Sequence, residues 1–431
     1  MVGNTTYKAV TVTEENQQLE AFFSVFFLSL FFAYPLSTFL SKYLLPSSNI
    51  ISVLARTWVL LLGLKAIHLN MKWKKGLYGL PFLLFLFFWC IYCVRIAHDT
   101  LLSADELGSS PALYFNFAIL LSFITSIGCF TKVAFWKWRH FHKALLVILV
   151  SLNTLILISV VTAPTDYIIE RGFRFEGNER LNPITSGMIA AFLLVFIFVK
   201  VYNGQLTTKS AWFYLLLAAL SGVNLITTLS KGPILFAMLS MLLVLFRLVS
   251  KGAIKKLLVI AVGVLGIAAI MNYFGIVDIV GLVLERFIGI GERDDSTAER
   301  LMLYNNAWKQ FLSSPLTGDF LEERILRIYP HNMILESLMA LGIFGGLLFL
   351  VYYFISGLRM ATVLLRTNVH IVSLIIFYGF ISSMISGSLS MGPEIWYCFA
   401  FAHVFYYQYT LKKQQLLPVQ NHFPIPEPAS I

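Results

Sequence analysis

The 431-residue sequence is short of charge: 13% of its residues are charged, against 58% hydrophobic. A soluble domain carries about 25% charged residues, so a soluble globular fold is excluded. Cysteine is scarce too. Cys90, Cys93, Cys129 and Cys398 all fall inside apolar runs. The stretch "WCIYC" has helical i, i+3 spacing, but no second pair or flanking histidine accompanies it, so membrane core is the better reading than a metal pair. A cleavable leader is not expected either. The first apolar run begins near Leu19 behind a polar stretch, with no small-residue cleavage site, and reads as a retained span. The net charge of +10 does not point to nucleic acid, because the basic residues are scattered among loops between apolar runs.

What the sequence has in quantity is apolar runs long enough to cross a bilayer. Roughly twelve are expected, near 19–41, 49–69, 77–97, 112–131, 143–163, 184–202, 211–229, 232–250, 254–274, 332–356, 370–388 and 392–411. The expected fold class is an all-α polytopic integral membrane protein. Lysines and arginines alternate by side: Lys72, Lys74 and Lys75, then Lys132, Lys137, Arg139 and Lys143, then Lys200 and Lys209, then Arg247, Lys251, Lys255 and Lys256, then Arg359, Arg366, Lys412 and Lys413. That side is expected to be cytoplasmic, with both termini on it. The organisation is thus a membrane region over 1–274 with a short outer loop near 164–183, a long outer loop over 275–331, C-terminal spans over 332–411, and a proline-rich tail over 412–431 that is expected to be disordered.

The two outer loops break the charge rule. They hold Arg171, Arg174, Arg180, Arg286, Arg293, Arg300, Arg324 and Arg327, eight of the fourteen arginines, beside a single lysine, Lys309. Arginine in place of lysine suits bidentate contact with phosphate or carboxylate. Pairing with Glu170, Glu176, Glu179, Glu285, Asp294 and Asp295 could account for any single arginine; the set as a whole favours anion binding. Within the long loop, "STAERLMLYNNAWKQFLSSPLTG" reads as an amphipathic helix laid on the membrane surface. Ser296 and Glu299 make a capping box, Leu301, Tyr304, Trp308, Phe311 and Leu312 form an apolar stripe, and Pro315 and Gly318 end it. Arg300 then falls in the first turn, where acids are normally preferred but anions bind readily.

Three segments line up in order: "SKGPILFAML" (230–239), "STAERLMLY" (296–304) and "HNMILESLMALGIFGG" (331–346). Together they resemble the O-antigen ligase/polymerase family of bacterial membrane glycosyltransferases. The last segment matches that family's pattern of His, Asn, nine residues, Gly, two residues, Gly-Gly at every fixed position, and "RFEGNERLNPITSG" is similar to its shorter periplasmic loop. The likeness covers about residues 170–350. It implies a fold like the C-type glycosyltransferases, in the bacterial inner membrane with the active site periplasmic. It also implies transfer of a glycan from an undecaprenyl-diphosphate-linked donor to a glycan or lipid A-core acceptor, a chain-length regulator being a further expected partner. His331 would be the catalytic base. Arg300 and the basic residue at 231 would hold the diphosphate. Family members usually carry arginine where this chain has Lys231, which keeps the charge and loses the planar fork; Arg180 or Arg286 would then share the work.

The chemistry also stands on the residues alone. Attack by a sugar hydroxyl on an anomeric carbon needs a base, and histidine is the best match near neutral pH. The leaving diphosphate is already charged and needs cationic stabilisation, which guanidinium groups supply without a metal or other cofactor. Glu336, inside a span, is a functional candidate by default. It lies four residues from Asn332, and is expected to order Asn332 or to pair with a loop arginine; five residues from His331, it points too far round the helix for a dyad. Gly342, Gly345 and Gly346 suggest close helix packing. Asp294 and Asp295 lack further ligands, so no metal site is expected. The form "YPHN…LE" resembles the family's polymerases more than its ligases, which implies a repeat-unit polymerase; the alternatives are the ligase and, in a different class, a lipid-linked glycan transporter or flippase. A transporter should show repeat symmetry, which the long loop interrupts.

Overall fold

The computed structural model describes residues 3–44, 50–162, 181–228, 230–250 and 295–416. The expected span at 254–274, and with it Arg180 and Arg286, lies outside the described residues. In chain order the helices are α1 (Gly3–Leu44), α2 (Ile50–Lys72), α3 (Leu80–Leu102), α4 (Pro111–Cys129), α5 (Phe141–Val161), α6 (Pro183–Tyr202), α7 (Thr208–Thr227) and α8 (Lys231–Ser250). They continue as α9 (Asp295–Ser313), α10 (Met333–Arg366), α11 (Ile371–Ile385) and α12 (Pro393–Leu416). Among the described residues nine of these, α1 to α8 and α10, are long and apolar enough to cross a membrane. The protein is an all-α polytopic membrane protein.

Burial separates central helices from peripheral ones. On α6 nearly every residue from Pro183 to Val199 is buried, and on α12 the run from Ile395 to Phe405 is buried all round. A helix apolar on every face belongs inside a bundle. By contrast α3 buries Phe85, Phe88, Trp89 and Tyr92 on one face and exposes Leu83, Phe87, Val94 and Leu101 on the other. Such a stripe is stable only against lipid. The inner face of α3 meets α10 and α12 in an aromatic cluster, with Trp89 4.9 Å and Phe88 5.4 Å from Trp396, and Phe88 5.3 Å from Phe349.

Two departures from straight α-helix bear on the site. Residues Tyr114–Ile124 of α4 are wound as a π-helix, a geometry that recurs at functional sites. In α10 the helix breaks at Gly342, whose φ is +64°. The turn after α9 docks into that break: Asp319 N–H donates to the Met339 carbonyl at 2.9 Å, and Ile343 N–H donates to the Pro315 carbonyl at 2.8 Å. Any side chain at Gly342 would strike the Leu316 backbone, and any at Gly318 the Ala340 backbone. The expectation that Gly342 serves helix packing is therefore corrected: it admits a loop, because only glycine takes this backbone conformation without strain.

The loop helix also differs from its expected form. Leu303, Ala307, Gln310 and Phe311 face inward, while Leu301, Trp308 and Leu312 of the expected stripe are exposed. The helix begins at Asp295, which puts Arg300 in its second turn. The field of the helix terminus has largely decayed there.

Candidate active site

The segment from Asp319 to His331 is strapped down at many points. Arg324 forms a forked pair with Asp319 (2.7 and 3.0 Å) and bonds Glu106. Arg327 donates to the Asp105 carbonyl. Buried Glu322 accepts from the Tyr114 hydroxyl at 2.8 Å and from the Ser109 N–H at 3.1 Å. Arg95 and Asp99 of α3 grip the same segment, Arg95 through the Thr317 and Asp319 carbonyls and Asp99 through the Leu321 N–H. Arg324 and Arg327 thus serve the scaffold, so pairing with acids and carbonyls, not anion binding, explains these two outer arginines.

At the end of this segment His331 takes φ +56°, left-handed for a residue with a side chain. That conformation is uncommon and persists only where the surroundings impose it. Asn332 follows as the N-cap of α10, its side-chain oxygen accepting from Ile334 and Leu335 N–H at 3.1 Å each, while its amide donates to the Met384 carbonyl. Glu336, fully buried, accepts from the Leu389 N–H at 2.9 Å and the Ser388 hydroxyl at 3.2 Å. It contacts neither the Asn332 side chain nor an arginine among the described residues. It instead anchors the loop between α11 and α12.

The imidazole of His331 stacks edge-on against Tyr329, ring centroids 4.6 Å apart, and its Nδ1 is buried with no hydrogen-bond partner among the described residues. Burial, then the nearby positive charge of Arg300, push its pKa down to about 4, with a backbone contact to Ser386 working the other way. Burial likewise pushes the Tyr329 phenol up to about 12. At neutral pH the imidazole is uncharged and the phenol keeps its proton. Arg300, half-buried, also acts on Tyr304, and it forms no ion pair among the described residues. Lys231 is the first residue of α8 and is half-buried.

His331 and Tyr329 open onto a cavity of about 390 Å³ between α1, α2, α4, α6, α11 and α12. That volume lies in the range of small-molecule sites, roughly 300–1,000 Å³. Its walls sit toward the helix ends opposite the lysine-rich loops. They include Arg56, Glu394, Tyr34, Tyr378 and a run of serines that comprises Ser382, Ser386 and Ser388. Arg56 and Glu394 went unnoticed in the sequence, although each is an ionisable residue inside an expected span, the same signal that singled out Glu336.

The arrangement places an uncharged imidazole at a cavity with polar groups in its wall, within electrostatic reach of a guanidinium that forms no ion pair among the described residues. Residues 215–319 match the O-antigen ligase family model. The match covers α7, α8, α9 and the segment between, and so includes Lys231, Arg286 and Arg300; it ends before His331 and spans about a quarter of the chain. It is consistent with the O-antigen ligase/polymerase family and, with the apolar helices, with a membrane enzyme of the glycosyltransferase-like ligases and polymerases. No curated protein matches the chain.

Proposed function

We propose that the protein transfers a glycan from a polyprenyl-diphosphate carrier to a sugar hydroxyl at the periplasmic face, and that it acts as a repeat-unit polymerase. The observation that carries this reading is the placement of His331: its Nδ1 is buried without a partner among the described residues, its ring opens onto the cavity, and it is kept uncharged at neutral pH within electrostatic reach of Arg300, which forms no ion pair among the described residues. His331 takes the proton of the acceptor hydroxyl as its oxygen bonds to the anomeric carbon. The bond from that carbon to the diphosphate breaks, and the diphosphate leaves with the electron pair. Arg300, with Lys231 and with Arg180 or Arg286, stabilises the departing charge. Asn332 and Glu336 hold the helix mouth and the serine loop in position around the imidazole.

Arg300 has two effects in this scheme. Without donor its charge lowers the basicity of His331. A bound diphosphate offsets that charge, so the imidazole becomes a stronger base when there is a substrate to act on. The test is turnover of a lipid-linked donor by reconstituted His331→Ala protein of unchanged fold. Loss of about 10²–10⁴-fold is expected of a general base, and near-normal turnover would remove His331 from the chemistry. Supplying a second lipid-linked repeat unit or lipid A-core as acceptor separates polymerase from ligase; a product formed only with lipid A-core overturns the polymerase reading.

A further inference from the structure

Arg56 lies six residues beyond the start of α2 at Ile50, roughly 9 Å along the helix at 1.5 Å per residue. A lone arginine near a helix end ordinarily extends its stem to the membrane surface. This one does not. Its guanidinium lies over the Tyr34 ring of α1 at 5.1 Å and over the Phe117 ring of α4 at 4.6 Å, and it forms part of the wall of the His331 cavity. Phe117 itself belongs to the π-helical stretch of α4. Two aromatic faces orient the charge and shield it from lipid, yet no carboxylate pairs with it: the ion pairs among the described residues do not include Arg56. Glu394 lines the same cavity without closing on it. A cation held inside a span at the wall of an open cavity is costly unless an anion completes it.

We propose that Arg56 is an oxyanion-binding residue of the cavity and takes a phosphate or carboxylate carried by the acceptor. Arg300 does not line the cavity, so the protein has two separate anion sites near His331. The planar guanidinium, held against two aromatic rings, offers its edge donors to the two oxygens of either group. Assigning the anion to the acceptor rests on the glycosyl-transfer reading; the binding itself does not.

The experiment measures binding of inorganic pyrophosphate and, separately, of glucuronate to the full-length protein in lipid nanodiscs at low ionic strength, by calorimetry. It is done in the Arg300→Ala background, where anion binding at Arg300 is removed. Residual binding of at least one probe is expected, weakened tenfold or more by adding Arg56→Ala or Arg56→Gln and only partly by Arg56→Lys. Thermal unfolding of each variant checks that the fold is intact, and the lysine variant retains the charge should the smaller side chains fail to fold. Response to pyrophosphate alone identifies a phosphate ligand, and response to glucuronate alone a carboxylate. Absence of binding in the Arg300→Ala protein, or an affinity unchanged by loss of Arg56, overturns the proposal. Neither result touches the His331 reading, which turnover of the His331→Ala protein decides independently.

Discussion

The titration of His331 gives the sharpest test of the mechanism, because burial and Arg300 shift it far from the ordinary histidine value. The specificity constant reports the free enzyme, and there the group titrates at about 4. At pH 5 such a group keeps about nine-tenths of its basic form, whereas one titrating at 6.5 keeps about 3%. Lowering the pH from 7.5 to 5 should therefore leave kcat/KM within about 10% of its plateau, where an ordinary histidine would lose about 30-fold. The diphosphate diester stays fully ionised across this range and adds no titration of its own. The sign then makes a second demand. A bound diphosphate favours imidazolium, so the acid limb of kcat should lie at higher pH than that of kcat/KM. Replacing Arg300 by glutamine removes a charge that disfavours imidazolium, so the acid limb of kcat/KM should also move upward while burial keeps it below 6.5. The assay is initial-rate glycan transfer by reconstituted protein from pH 4.5 to 8. An acid limb near 6.5 in the wild type, or one unmoved by Arg300→Gln, would refute the electrostatic reasoning.

Other consequences concern the cations and the scaffold. Arg300→Ala should reduce transfer by about 10²–10³-fold, as expected for removing one donor to a developing anion, and Arg300→Lys should restore only part, since it returns the charge without the fork; full activity of the lysine variant in the same assay would contradict the clamp. Lys231→Arg should match or exceed the wild-type rate, and an inactive Lys231→Arg protein would exclude residue 231 from the diphosphate site. Gly342→Ala should lower the thermal unfolding temperature, because the left-handed backbone costs about 1–3 kcal/mol for a residue with a side chain and the methyl group would meet the Leu316 backbone; an unchanged melt would mean the loop docks elsewhere. Initial rates in excess EDTA should equal those with added magnesium or manganese if, as proposed, arginines carry the leaving-group charge; activity lost in EDTA and recovered with either ion would put Asp294 and Asp295 in the site.

The membrane architecture was legible because hydropathy alone distinguishes a span from a loop, and the helix mouth at His331–Asn332 because Pro330, a capping residue and an apolar run mark such a boundary. What remained illegible depends on contacts between distant segments. Arg324 looked like a free outer cation until Asp319 and Glu106 came to meet it. The cavity draws its wall from six helices scattered along the chain, so Arg56 and Glu394 read as isolated charges in apolar runs. The stripe on α9 was misjudged for another reason. That helix has apolar residues on two faces, Leu303 and Ala307 on one and Leu301, Trp308 and Leu312 on the other, and periodicity cannot say which face the bundle takes. For Glu336 the sequence offers Asn332 or a loop arginine as partner, because the residues it meets, Ser388 and Leu389, lie more than fifty residues away.

These long-range contacts share a purpose that bears on His331. A residue in left-handed backbone, with a buried ring nitrogen that has no partner among the described residues, sits in a conformation its own sequence does not favour. It stays there because both flanks are fixed. On the N-terminal side Arg324, Arg327, Glu322, Arg95 and Asp99 tie the segment to α3 and to the loop after it. On the C-terminal side Asn332 caps α10, and Glu336 binds the serine loop that helps line the cavity. The break at Gly342 adds a third attachment, locking the turn after α9, and with it the helix that carries Arg300, to the helix that begins beside His331. His331 and Arg300 are thereby referred to one rigid frame, as the proposed mechanism requires. A general base loses its advantage when its nitrogen wanders by about an ångström from the proton it must take. Strain at His331 and the dense strapping around it are therefore two parts of one arrangement, in which the scaffold supplies the stability that a strained residue with an open Nδ1, the base of the proposed mechanism, cannot supply for itself.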